Sequence, residues 1–204
     1  KLGLQLNRLK CEVIDASVEA KQVLQFNGIS LADCPMDDAC LLGAPLHPDG
    51  IDKALAVKCA DLQVMIKRLS LLPAHDSLYL LRKALAIPKL LYILRTAPCF
   101  NSAELASYDI ILRGGLEAIL NVSLTESRWT QASLPVWAGG LGIRSAVMLA
   151  PSAFIASAAG TAVLVSRLLS NPRYQDDSLI TSAKSKWLSR VPGGTLPPVN
   201  NFVY

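Results

Sequence analysis

The feature that most limits how this chain can fold is a run without charged residues, residues 145–166, which lies between Arg144 and Arg167. At about 1.5 Å per helical residue, such a run is long enough to cross a bilayer. Pro151, several hydroxyl side chains and many alanines nevertheless leave it with little hydrophobic transfer energy. We therefore favour a buried helix that is broken near Pro151, with a membrane anchor through residues 145–166 as the alternative.

The composition fits one globular domain or two small ones. The chain has 204 residues, of which 51% are hydrophobic and 18% are charged, and this balance excludes intrinsic disorder for most of its length. The five cysteines are odd in number and lie mostly among apolar residues, which is typical of reduced, buried thiols. We therefore expect an intracellular protein, cytoplasmic or nuclear, that does not bind a membrane.

The first 46 residues predict short strands and loops. Apolar stretches at residues 4–6 and 23–29 are separated by turn formers, among them Asn27-Gly28, Pro35 and Gly43. Such alternation suits brief strands better than a long helix.

From residue 51 onward the pattern is helical. Apolar residues recur at spacings of three and four and predict a helix over residues 52–72 that Pro73 ends; they are Leu55, Cys59, Leu62, Ile66 and Leu69. A second helix, capped by Asp76 or Ser77 and with Leu78, Leu81 and Leu85 on its apolar face, extends to Pro88. A kinked helical piece over residues 89–95 follows.

A further helix is predicted to begin near residue 101. Asn101 and Glu104 resemble a capping box, and Phe100 with Leu105 suits a hydrophobic staple. Gly114-Gly115 weakens the helix by about 1 kcal/mol per glycine relative to alanine. The residues that should face inward are Leu105, Tyr108, Leu112, Leu116 and Ile119.

The glycine-rich stretch Ala138-Gly139-Gly140-Leu141-Gly142 superficially suggests a phosphate-binding loop. No Lys-Ser/Thr pair follows it, so we interpret it as a turn before a helix capped by Ser145. The chain as a whole is therefore predicted to be mainly α, with a short β-containing segment at its N-terminus.

Positive charge is concentrated in one segment. Residues 53–95 carry eight basic side chains against Asp61 and Asp76, a net charge of +6 in a chain whose total is +4. Such a segment can lie against a phosphate backbone, or can simply be a solvated helix face. The basic residues are Lys53, Lys58, Lys67, Arg68, Arg82, Lys83, Lys89 and Arg95.

Other candidate sites are weak. Cys34, Cys40 and His47 have neither the close pair spacing nor the fourth ligand of a structural zinc site. His47 and His75 lack an obvious Ser or Cys partner for a hydrolase triad. We predict no metal ligands in this chain.

Several motifs in a fixed order resemble one family. Gly3-Leu4-Gln5-Leu6-Asn7-Arg8-Leu9-Lys10-Cys11-Glu12 resembles the palm lysine motif of non-LTR retrotransposon (LINE-type) reverse transcriptases, and Leu42-Gly43-Ala44-Pro45-Leu46 resembles their primer-grip hairpin. Leu80-Leu81-Arg82 and Leu90-Leu91-Tyr92-Ile93-Leu94-Arg95 are similar to their helical thumb. Trp129-Thr130-Gln131-Ala132-Ser133-Leu134-Pro135 and Gly139-Gly140-Leu141-Gly142-Ile143-Arg144 are similar to the segment beyond it.

The resemblance implies roles for these residues in an RNA-directed DNA polymerase. Lys10 would assist nucleotide addition as a proton donor or as an electrostatic partner of the phosphates. Leu42, Gly43, Ala44, Pro45 and Leu46 would hold the 3′ end of a DNA primer. The eight basic residues would contact the backbones of primer and RNA template.

The resemblance also implies that catalysis is incomplete. The family's catalytic aspartates precede the lysine motif, whereas Met36-Asp37-Asp38 follows it, in a stretch where Asp33 and Cys34 do not predict a strand. This pair, although it resembles a metal-binding pair, is expected to be a solvated loop. We expect a fragment without a bound cofactor, inactive alone, whose complete polymerase would use Mg²⁺.

The implied organisation has four parts. Residues 1–50 would be a palm remnant, 51–100 a helical thumb, 101–190 a helical extension and 191–204 a flexible tail. The partners would be RNA template, DNA primer and the rest of the polymerase. A helical interaction or scaffold protein without a nucleic-acid role is the alternative from another class.

Overall fold

The computed structural model describes residues 7, 12–14, 17–26, 32–169 and 178–191. These residues are mainly helical, and short strands occur near the N-terminus, as the sequence predicts. The chain divides into two units, residues 1–50 and 51–204.

The first unit contains two small pairs of strands. Strand β1 (Glu12–Ile14) pairs in parallel with β2 (Ala32–Cys34), and helix α1 (Val18–Phe26) lies between them in the chain. A 3₁₀ turn (Met36–Asp38) precedes the antiparallel pair β3 (Cys40–Leu41) and β4 (Ala44–Pro45).

Two predictions for this unit are wrong. The predicted strand at residues 23–29 is helical up to Phe26, because parallel neighbours need a crossover between them and α1 occupies it. Asp33 and Cys34, which do not predict a strand, belong to β2. The predicted strand at residues 4–6 and the predicted tail at 192–204 lie outside the described residues.

The second unit is built from helices. In chain order they are α2 (Pro48–Leu69, of which residues from 51 onward belong here), α3 (Ala74–Leu80), α4 (Ile87–Thr96), α5 (Glu104–Leu120), α6 (Glu126–Ser133), α7 (Ala146–Leu169) and α8 (Ser178–Leu188). Helix α7 packs against α4, α5 and α8, and α3 packs against α5. The rings of Phe100 and Phe154 meet in this core with centroids 5.6 Å apart.

The predicted apolar stripes are confirmed. On α2, Leu55 and Leu62 are fully buried, Cys59 and Leu69 nearly so, and Ile66 is partly buried against the core. Every inward residue predicted on α5 is buried. An apolar stripe is stable only when it packs against other apolar surface. The stripes of α2 and α5 both lie in one continuous core.

The predicted caps of α3 and α5 are wrong in detail. Ser77 does not cap α3, since that helix begins at Ala74 and the buried Ser77 hydroxyl donates to the carbonyl of Leu69 at 2.7 Å. The start of α5 is held by Ser102, whose Oγ accepts from the Glu104 amide at 3.2 Å, while Asn101 lies in a preceding 3₁₀ turn.

Helix α7 continues through Pro151, so the predicted break there is wrong. A proline inside a helix has no N–H and leaves the carbonyl four residues earlier without its usual donor. That carbonyl belongs to Val147, and the Arg190 guanidinium donates to it from beyond the end of α8. The missing bond is replaced, and the helix does not need to break.

The first turn of α7 is capped from two sides. The Ser145 Oγ accepts from the Met148 amide at 3.1 Å, which confirms the predicted cap. The carboxylate of Asp109, on α5, accepts from the Ser145 hydroxyl at 2.5 Å, from the Ala146 amide at 2.7 Å and from the Val147 amide at 3.2 Å. One carboxylate thus joins α5 to the start of α7.

Candidate nucleic-acid interface

The predicted primer-grip residues form a hairpin. β3 and β4 pair with Cys40 opposite Pro45 and Leu41 opposite Ala44, and Leu42-Gly43 makes the turn. Both turn residues have positive φ, 52° at Leu42 and 80° at Gly43, as a type I′ hairpin turn requires. Glycine adopts this conformation freely, whereas leucine does so at a cost of roughly 1–2 kcal/mol.

Leu42 is also 88% exposed. A bulky apolar side chain that is so exposed buries little surface within the fold. Such a position is typical of a contact surface. Its neighbours Leu41 and Leu46 are exposed as well.

The eight predicted basic residues lie on α2, on the turn after α3 and on α4. Lys58 and Arg82 are partly buried, and the other six are exposed. The Lys58 ammonium lies 3.9 Å from a carboxylate oxygen of Asp61. Since the apolar stripe of α2 faces the core, its lysines and arginine are left on the solvent side.

A π turn (Leu81–Leu85) brings two of the eight to a cleft. The Ala86 amide donates to the Leu81 carbonyl at 3.1 Å, which widens the chain at this point. The cleft has a volume of about 520 Å³. It is lined by Leu81, Arg82, Lys83, Ala86, Ile87, Pro88, Leu91, Pro135, Val136, Gly142, Ile143 and Arg144.

The third cation of this cleft, Arg144, was not among the predicted site residues. Arg144 ends the stretch Gly139-Gly140-Leu141-Gly142-Ile143-Arg144, far from Arg82 and Lys83 in the chain, and was not counted in the basic segment. The usable signal was the glycine-rich stretch, since Gly142 has a φ of +72° and a Cβ at this position would lie 3.0 Å from Cδ of Arg82. The other six predicted basic residues do not line the cleft.

The acidic pair Asp37 and Asp38 lies on the exposed 3₁₀ turn, as expected of a solvated loop. Asp37, Asp49 and His47 bring ligand atoms within 4.8 Å of one another. The two carboxylates are exposed, and such groups are common on protein surfaces. Cys34 and Cys40 are not part of this group, so the rejected cysteine site gains no support.

Four cysteines lie among the described residues, and none of these four is in a disulfide. Cys59 and Cys99 are buried as predicted, whereas Cys40 is exposed, contrary to prediction. Burial raises the pKa of the Cys59 thiol, with a smaller contribution from Glu104, and raises the pKa of Cys99 to about 11. Buried thiols of this kind are unreactive at neutral pH.

We expect iodoacetamide at pH 8 to label Cys40 at least about a hundredfold faster than Cys99, because only ~0.1% of a thiol with that raised pKa is ionised and its sulfur is also shielded. Peptide mass mapping of a time course measures both rates. Labelling in urea is the control, since unfolding should equalise them. Equal rates in the native protein would contradict the burial of Cys99.

Helix α7 is long and apolar enough to cross a membrane, by length and composition alone, over Ala146–Leu168. Within the most apolar 18-residue stretch of this helix, 28% is buried. Its first half contributes Ala146, Ala150 and Ile155 to the core, and its second half exposes large apolar side chains such as Leu168. The core helix of a globular protein has the same length and composition, so the membrane alternative stays a hypothesis.

Lys10, the predicted assisting residue, lies outside the described residues, as does most of the motif at residues 3–12. No protein-family model, no curated protein and no solved structure matches this chain.

Proposed function

We propose that this chain grips a primer and positions template and primer in an RNA-directed DNA polymerase of the non-LTR retrotransposon type. The observation that carries the proposal is the hairpin Cys40–Pro45 with its exposed turn Leu42-Gly43, because the stretch from Leu42 to Leu46 resembles a primer grip. The motif order and the net charge of +6 over residues 53–95 support it further.

In this proposal the hairpin and the basic helices have different tasks. Leu42 and its neighbours contact the 3′-terminal nucleotide of the primer through apolar surface. The exposed cations of α2 and α4 contact phosphates and so bind any sequence, as a polymerase must. Lys10 assists nucleotide addition, with Mg²⁺ and its carboxylate ligands supplied by the complete polymerase. The chain alone is therefore expected not to extend a primer.

The proposal predicts salt-dependent binding to an RNA–DNA primer–template duplex. Each neutralised phosphate releases counterions, so the logarithm of the binding constant should fall linearly with the logarithm of salt concentration. The double variant Lys67→Ala/Arg68→Ala removes two exposed cations and should reduce the slope by about 2. Fluorescence anisotropy with a labelled duplex at several salt concentrations measures both slopes.

The matched control is Arg128→Ala/Arg167→Ala, which removes two exposed cations outside residues 53–95 and should leave the slope close to the wild-type value. An equal reduction in both double variants would mean that only net charge matters. Absence of binding at low salt would contradict the proposal and favour a helical scaffold or an anchor through α7. Recovery in the aqueous phase without detergent would contradict the anchor.

A further inference from the structure

The cleft beside the π turn combines cations with apolar surface. Arg82, Lys83 and Arg144 line it together with leucine, isoleucine, proline and valine side chains, and its lining includes no carboxylate. None of these three cations has a carboxylate within ion-pair distance in the described part of the chain. Their charge is therefore available to a ligand.

Arg82 supplies a second observation. Its Nε is buried and has no hydrogen-bond partner among the residues that the structure describes. A buried donor without a partner is costly and rare in native proteins, so it requires an explanation. A ligand oxygen in the cleft explains it, since guanidinium groups bind phosphate oxygens with well-defined geometry.

The size of the cleft limits what binds there. A volume of about 520 Å³ lies in the range of pockets for small ligands, about 300–1,000 Å³, and suits one nucleotide rather than a double helix. Its apolar walls suit a base and its cations suit a phosphate. A paired base within a duplex is not available for such a contact, whereas an unpaired base is.

An aromatic residue lies next to the cleft in the chain. Val136 lines the cleft, and the following residue, Trp137, is 89% exposed. An indole so exposed contributes almost nothing to a core. Exposed aromatic rings beside cations are the usual stacking platforms for the bases of single strands.

We propose that the cleft binds one nucleotide of a single-stranded nucleic acid, with its phosphate on Arg82, Lys83 and Arg144 and a neighbouring base stacked on Trp137. The inference rests on the proposed function, because it identifies the occupant as the unpaired strand that continues from a primer–template duplex. It differs from that function in using a defined pocket and an aromatic contact, whereas the basic helices contact duplex backbone.

The test compares two labelled duplexes that differ only in a single-stranded 5′ overhang of the template. Wild-type protein should bind the overhang duplex more tightly than the blunt one. Arg144→Ala should weaken overhang binding roughly tenfold, the effect of one lost charged hydrogen bond, and blunt binding by less than about twofold. Arg144 is exposed, so its replacement does not disturb the core.

Trp137→Ala should weaken overhang binding by a similar factor, within the roughly 5- to 150-fold range of a lost base stack. Trp137→Phe should recover most of this loss, because phenylalanine keeps a stacking ring. A merely structural role of Trp137 would not produce this pattern. Arg167→Ala, an exposed arginine on α7 that does not line the cleft, is the charge-matched control and should leave the preference for the overhang unchanged.

The outcomes separate the two proposals. Failure of the wild type to bind either duplex overturns the proposed function. Blunt binding without a gain from the overhang, or an equal effect of Arg144→Ala on both duplexes, overturns the cleft inference alone. A last measurement compares the binding free energy of adenosine monophosphate with the difference in binding free energy between the overhang and blunt duplexes. If the two were equal, the occupant would be a free nucleotide and the assignment to a single strand would be wrong.

Discussion

The Asp109→Ala variant is expected to unfold with a free energy about 2–4 kcal/mol below that of the wild type. The Asp109 carboxylate accepts hydrogen bonds from the Ser145 hydroxyl and from two amides of the first turn of α7. Alanine leaves these donors without a partner at a buried site, where Ala146 is fully shielded from solvent. It also removes a negative charge from a helix N-terminus. Urea unfolding followed by circular dichroism measures the loss.

Two variants serve as controls for this prediction. Asp109→Asn keeps one acceptor oxygen and should cost less than alanine. Ser145→Ala removes one cap but leaves the Asp109 carboxylate to the two amides, and should cost about 1 kcal/mol. A loss below about 0.5 kcal/mol for Asp109→Ala, the size of an ordinary surface substitution, would show that this carboxylate does not hold α5 to α7.

Asp109 also predicts a pH dependence. Burial raises the pKa of its carboxyl above the ordinary value, and hydrogen bonds from Ser145, Ala146 and Val147 oppose part of this rise. The folded state therefore takes up this proton at a higher pH than the unfolded state. Stability from this group rises as the pH falls through the folded pKa, levels off below the ordinary value of about 3.9, and is lost as the pH rises again.

Asp109→Asn cannot titrate and is the reference for this measurement. The free energy of unfolding of the wild type, minus that of the variant, should increase as the pH falls from neutral to about 4. Urea unfolding of both proteins across this range gives the difference at each pH. A decrease on acidification would mean that the hydrogen bonds outweigh burial and that the pKa is lowered.

The Gly140→Ala variant is the second large effect, with an expected loss of about 3 kcal/mol. A Cβ at position 140 would lie 2.0 Å from the Leu134 carbonyl oxygen and 2.7 Å from that of Gln131. Both obstacles are backbone atoms and cannot move as a flexible side chain can. The loop would have to leave the end of α6, where the Gly142 amide donates to Leu134 and the Leu141 amide to Ala132.

Gly114→Ala is the matched control because its Cβ would meet nothing within 4 Å in the interior of α5. Alanine there should raise stability by roughly 0.5–1 kcal/mol, since glycine loses more backbone freedom on folding. Thermal unfolding of both variants gives the comparison. A Gly140→Ala variant as stable as the wild type would contradict the close approach of loop and α6. If instead it is destabilised as expected, it should also lose the preference for the overhang duplex, because the loop carries Arg144.

The helices with regular apolar spacing were predictable from sequence because their signal is local. Leu55, Leu62, Leu112 and Leu116 recur at the helical period, and burial of one stripe follows from that alone. Helix α1 was not predictable in this way. It is nine residues long, lies among turn formers, and owes its place to the parallel pairing of β1 with β2, which no short window of sequence contains.

Tertiary contacts decided the remaining local details. Gly115 reads in the sequence as a weak point of α5, yet a Cβ there would lie 2.4 Å from Cδ1 of Ile66 on α2. Serine is a common residue at helix caps, but the Ser77 hydroxyl donates to the carbonyl of Leu69 on the other side of a turn. In each case the residue type was a correct signal of a special position, and the partner came from another element.

The candidate site was predictable only in part for the same reason. Counting charges identified Arg82 and Lys83 because they belong to a basic segment. Arg144 joins them only through folding, since the glycine-rich loop and the π turn are distant in sequence and adjacent in space. Exposure of Trp137 is likewise a property of the folded chain, and an indole in sequence is more often a core residue.

The bond from Arg190 to the carbonyl left open by Pro151 has a consequence for synthesis of the protein. The donor follows the acceptor, Val147, by 43 residues, so the ribosome releases the first half of α7 well before the arginine that completes it. Until α8 and Arg190 emerge from the ribosome, the Val147 carbonyl has to accept a hydrogen bond from water instead. We therefore expect the contact of α7 with Arg190 to form only after α8 has been synthesised.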